Sequence, residues 1–88
     1  MSYRVMLSEE AVAYLRKIDK AMAARIYSWI AKSLEGCTNP RRIGKALKGN
    51  HSGEWRYRVG DHRLLARIED EVITIYNFEI GHRSNVYD

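Results

Sequence analysis

The sequence predicts an α+β fold in the order β-α-α-β-β-β, an antiparallel sheet core with an N-terminal αα-hairpin packed on one face. Apolar residues recur at helical spacing between Ser8 and Gly36, and alternate with charged residues at strand spacing between Glu54 and Glu69. Length is the third guide. A chain of 88 residues buries roughly 60–65% of its unfolded surface, enough for one core. Residues 1–88 are therefore expected to form a single domain.

Taken in order, Tyr3–Leu7 is short and β-prone, and it ends at Ser8, a good N-cap followed by Glu9 and Glu10. Acids in a first helical turn oppose the helix dipole favourably. Val12, Leu15 and Ile18 then recur every third residue, with Ala11 and Tyr14 beside them. Asp19 reads as a second N-cap. Met22, Ile26, Ile30 and Leu34 follow every fourth residue with Trp29 flanking, and Gly36 stands where a helix-ending glycine belongs. Tyr14, Met22 and Trp29 are assigned to the core by this stripe. Cys37 is expected as a free thiol in the following turn, and Asn39-Pro40 breaks the chain before a basic segment begins.

The period then changes. Trp55, Tyr57 and Val59 alternate with Glu54, Arg56 and Arg58. Gly60-Asp61 fits a two-residue hairpin turn with glycine first. From His62 to Glu69, Leu64, Ala66 and Ile68 face one way while Arg63, Leu65 and Arg67 face the other. Glu69-Asp70-Glu71 makes a polar turn before the β-rich run Val72–Ile80. With the aromatic and aliphatic residues under the helices, Arg56, Arg58, Arg63 and Arg67 share the open face of adjacent strands. Four like charges repel across such a ladder. Guanidinium forks match phosphate, so this face is read as an anionic groove suited to a nucleic-acid backbone.

Charge agrees with that placement. Fifteen Lys and Arg against eleven Asp and Glu leave +4, and residues 41–67 hold eight bases and two acids. A basic middle on a nearly neutral body suits a polyanion or an acidic partner. No apolar run approaches the ~18 residues of a membrane span, no signal-peptide h-region opens the chain, and the lone Cys37 cannot form an internal disulfide. A cytoplasmic protein with no membrane partner is expected.

His51, His62 and His82 fit no tight ligand spacing, and no Walker loop, GxGxxG or nucleophile elbow is present, so neither metal nor cofactor is expected. His51 reads as a polar-loop residue and His62 as a hairpin-turn residue. What remains is the tail Gly81–Asp88. Its His82, Arg83 and Tyr87 offer a proton shuttle, a phosphate clamp and a stacking ring.

At these residues the chain resembles a known family. Leu47-Lys48-Gly49, Trp55-Arg56-Tyr57-Arg58-Val59, His62-Arg63-Leu64-Leu65 and Ile80-Gly81-His82-Arg83 with Val86-Tyr87 are similar to the RelE branch of the RelE/ParE toxin superfamily. The short first strand and the αα-hairpin match too. No single motif is unique to that family; the ordered set carries the resemblance.

The resemblance implies a RelE-like microbial RNase fold and a type II toxin: a metal-independent endoribonuclease that cuts mRNA in the ribosomal A site. The RNA 2′-OH attacks the neighbouring phosphate, leaving a 2′,3′-cyclic phosphate and a 5′-OH. By position, Arg63, Arg83 and Tyr87 match catalytic residues, and His82 competes with Tyr87 for the acid/base role. Lys48, Arg56, Arg58 and Arg67 are the phosphate-binding set. Lysines are frequent in RelE proteins where Arg56 and Arg58 stand here; arginine stays protonated, so these two clamp phosphate and make poor bases. The spacing from Gly81 to Tyr87 is also shorter than in some relatives. The implied partners are a cognate, RelB-like antitoxin covering the basic groove in a hetero-oligomer, the ribosome and mRNA. Two alternatives stand beside this reading: a ParE-like toxin inhibiting DNA gyrase, and a non-catalytic basic binding module.

Overall fold

In a computed structural model, residues 2–47 and 53–81 are described. Lys48, His51, His82, Arg83 and Tyr87 lie outside the described residues. The elements are β1 (Arg4–Leu7), α1 (Glu9–Lys17), α2 (Lys20–Ser33), β2 (Lys45–Ala46), β3 (Glu54–Val59), β4 (His62–Glu69) and β5 (Val72–Ile80). They form a five-stranded sheet in the order β1-β5-β4-β3-β2.

The α+β class and the element order hold, with two additions. Lys45–Ala46 forms a short edge strand against Trp55 and Arg56. The sheet is also mixed, because β1 runs parallel to β5 while the other pairs are antiparallel. Parallel partners need a long crossover, and here everything between Leu7 and Val72 supplies it.

Both N-caps fall where the sequence placed them. Ser8 Oγ accepts the Ala11 N–H at 3.1 Å, and Asp19 Oδ2 accepts the Met22 N–H at 3.1 Å. Gly36 takes a left-handed φ of 80° just past the end of α2. Ala11 and Leu15 of α1, and Ala23, Ile26 and Ile30 of α2, are buried together with Leu34. They meet the inward faces of the sheet: Tyr57 and Val59, then Leu64, Ala66 and Ile68, then Ile73, Ile75 and Phe78.

The last of these sets breaks strict alternation. Leu65 pairs with Asn77 but Ala66 pairs with Ile75, so Tyr76 is an extra residue in β5. This bulge turns Phe78 inward on the same face as Ile73 and Ile75. Ser8 holds it in place: its hydroxyl donates to the Tyr76 carbonyl at 2.9 Å while capping α1. Ser8→Ala is expected to lower stability by about 1–2 kcal/mol. Ser8→Asp should restore only part of this, since a carboxylate caps the helix but cannot donate to Tyr76. The denaturant midpoints of the two variants at an unchanged slope check both claims.

Candidate functional site

Alternation in β3 and β4 sends Arg56, Arg58, Arg63 and Arg67 to the sheet face opposite the helices, as the sequence predicts. Register decides who meets whom. Arg58 stands directly opposite Arg63, Arg56 opposite Leu65, and Arg67 opposite Glu54. Among the described residues no carboxylate forms an ion pair with Arg56 or Arg58. Among the described residues Arg58 donates only to the Gly60 carbonyl of its own turn, at 3.4 Å. Arg63 lies across from Glu79, with a loose contact of 3.9 Å between exposed side chains. The Arg58–Arg63 end of the face is thus under-compensated positive charge.

The far end is different. Arg67 reaches Glu54 at 3.6 Å and lies 5.4 Å from the centre of the Tyr76 ring, whose hydroxyl donates to Glu54. Burial, then the hydrogen bond to Glu54, pushes the Tyr76 hydroxyl up to about 12. Burial likewise raises Tyr57 and Tyr14. The folded protein therefore holds these protons more tightly than the unfolded chain. Their contribution is full below a pH of about 10 and is lost as pH rises through about 12 for Tyr76. Urea midpoints should fall between about pH 10 and about pH 12, and Tyr76→Phe should flatten part of that fall.

His62 is placed differently from its expected turn position. Its ring is buried beside Tyr14, with centroids 5.7 Å apart, and among the described residues neither ring nitrogen has a hydrogen-bond partner, nor does the Tyr14 hydroxyl. It faces the helices, away from the arginines. Cys37 is a free, half-buried thiol, and burial raises its pKa, as for an unreactive cysteine. Among the described residues no three His, Cys, Asp or Glu side chains group as a metal site, and no helix is long and apolar enough to cross a membrane.

The segment 40–46 is tied firmly to β3. The Tyr57 hydroxyl donates to the Pro40 carbonyl at 2.7 Å, and the Trp55 indole donates to the Ile43 carbonyl at 2.6 Å. Gly44, with φ 78°, approaches so closely that a Cβ would lie 2.5 Å from the Arg56 carbonyl oxygen. Between this segment and α2 opens a cleft of about 490 Å³, walled by Trp29, Ser33, Ile43 and Lys45 and continuous with Arg56, Arg58 and Arg63. At the other side of Arg63 lies Gly81, where a Cβ would stand 2.7 Å from the guanidinium Nε. The Gly81 N–H donates to the Asp61 carbonyl. Gly81 thus lies beside the paired arginines.

A family model described as the ParE toxin of type II toxin-antitoxin system, parDE, matches residues 5–87. The chain is a member of this toxin family. Toxin RelG of Mycobacterium tuberculosis is 31% identical, the match covering 99% of this chain and 98% of RelG. The fold of this toxin is also similar to a chain in the toxin-antitoxin complex RelBE2 from Mycobacterium tuberculosis. There the TM-score is 0.79 and the identity 27%, over 91% of this chain and 99% of the other. The isolated E. coli RelE toxin shares the fold, with a TM-score of 0.70 at 20% identity over 94% of this chain and 88% of its own.

In this type II toxin, the arginines named from the sequence therefore divide. Arg56, Arg58 and Arg63 come together at one end of the face, and Arg67 is engaged by Glu54 and Tyr76 at the other. Sequence reasoning missed the cleft. Trp29 was assigned wholly to the core by its place beside the helical stripe, yet its half-buried ring serves both core and cleft. The available signal was its position off the stripe's centre line, next to Ser33 one helical turn on.

Proposed function

We propose that residues 1–88 form one toxin domain acting in the cytoplasm as a ribosome-dependent endoribonuclease, which cuts mRNA in the ribosomal A site. The observation that carries this reading is the pairing of Arg58 with Arg63, with Arg56 beside them and the root of the tail at Gly81. Guanidiniums held on rigid strands supply fixed positive charge where a phosphorane gains negative charge. In the reaction the 2′-oxygen bonds to phosphorus, the bond to the 5′-oxygen breaks, and a 2′,3′-cyclic phosphate and a 5′-OH result. One proton leaves the 2′-OH and another arrives at the 5′-oxygen. The arginines remain charged throughout, so they stabilise and position and do not accept the first proton. His82 or Tyr87 moves protons, Arg83 adds a further phosphate contact, and Lys48 extends the binding face. No metal or cofactor enters the scheme.

A free toxin of this kind needs restraint. A RelB-like antitoxin covering the arginine face is the proposed partner, supported by the likeness to a chain from a toxin-antitoxin complex. The test is a cell-free translation reaction with mRNA ends mapped by primer extension, beside Arg83→Ala and Tyr87→Phe. Cuts at A-site codons during translation, lost in the variants, are expected, as is ribosome binding that weakens steeply with salt. An intact message overturns the nuclease. Stalled gyrase would then assign a gyrase poison, and tight binding without either effect a non-catalytic module.

A further inference from the structure

We infer that the cleft at the β3 edge is a nucleobase subsite: one base of the bound RNA stacks on Trp29 while Arg56, Arg58 and Arg63 hold the adjoining phosphate. This rests on the RNA reading above and extends it from the backbone to a base.

The cleft's chemistry is two-sided. One wall is apolar, the Trp29 indole and Ile43; the rim carries Lys45 and three guanidiniums, and among the described residues no acid lines it. Its volume of about 490 Å³ falls within the ~300–1,000 Å³ of small-molecule sites. A carboxylate partner would need only the guanidiniums. A nucleotide uses the whole cleft, because a base offers a flat apolar face to the indole and a polar edge to the Ser33 hydroxyl. Trp29 is braced from behind by Tyr57, its ring centroid 5.6 Å away. The opposite wall is fixed by the Trp55–Ile43 and Tyr57–Pro40 hydrogen bonds and by the close seat of Gly44 on β3. A site already held in shape loses little freedom when it is filled.

The experiment titrates the full-length toxin with adenosine 3′-monophosphate, ribose 5-phosphate and inorganic phosphate, following the separate indole N–H signals of Trp29 and Trp55 by NMR. The nucleotide is expected to bind roughly tenfold more tightly than the sugar phosphate and to move the Trp29 signal most. Trp29→Leu should abolish that preference while leaving ribose 5-phosphate binding intact. Ser33→Phe, which fills the cleft from the end of α2, should do the same without touching the core. Equal affinity for nucleotide and sugar phosphate, or a preference that survives both variants, overturns the subsite. If sugar phosphate binding still drops in Arg56→Ala and Arg58→Ala, the arginine face stands without it. An acidic peptide that occupies the cleft in place of nucleotides also overturns the subsite.

Discussion

Arg63→Ala is expected to slow message cleavage in a translating extract by about 10²–10³-fold while leaving the fold as stable as before. The rate effect follows from its place. Arg63 is the guanidinium that both faces Arg58 and touches the root of the tail, so it sits where developing phosphorane charge would be met from two sides. Removing one such fixed donor typically costs a factor of that size. The stability effect is small because its pairing with Glu79 is loose, 3.9 Å between side chains that are 36% and 53% exposed. Exposed pairs of that kind contribute little. Losing Arg63 also relieves the repulsion with Arg58. Arg63→Lys should recover only part of the rate, since an ammonium keeps the charge and loses the fork. Single-turnover cleavage and thermal melts on the same samples separate the two effects. A cleavage rate within about threefold of wild type would remove Arg63 from the chemistry.

Gly44→Ala carries the largest expected stability cost. Two penalties add. A non-glycine residue at φ 78° is strained, and the new Cβ would meet the Arg56 carbonyl at 2.5 Å and the Trp55 and Tyr57 rings at 2.8 Å. The first costs about 1–2 kcal/mol. The second requires β3 or the 40–46 segment to move, and together about 3 kcal/mol is expected, a fall of about 12–24 °C in Tm for a domain of this size. Nucleotide binding in the cleft should fall with it, since Ile43 and Lys45 flank the displaced residue. A melting temperature within about 3 °C of wild type would mean that Gly44 is not the hinge pin it resembles.

Much of this was legible in the chain. Ser8 and Asp19 announced both helix starts, and Gly60 the hairpin. The alternation around Arg56, Arg58, Arg63 and Arg67 put all four on one face. These are local signals, set by neighbours in sequence. What stayed hidden depends on partners far away. The β5 bulge at Tyr76 arises because Ser8 and β4 meet that strand, and nothing in Thr74–Phe78 alone demands it. The quenching of Arg67 by Glu54 needs the β3–β4 register, and the second role of Trp29 needs the Pro40–Ala46 segment folded back by Tyr57 and Trp55. Two elements were simply too short or too distant to read: the two-residue β2, and the parallel partnership of β1 with β5.

That last partnership has a consequence for birth on the ribosome. β1 is synthesised before every other strand of the sheet, yet its neighbour begins at Val72, some 65 residues later. At roughly 5–20 residues per second, β1 waits for several seconds, and α1 waits with it, because its N-cap hydroxyl grips a carbonyl of β5. β4 too lacks one ladder until β5 emerges. Closing so long a loop is a late event in folding. A nascent toxin therefore cannot complete its sheet until Val72–Ile80 has been made, however early β1 and α1 emerge.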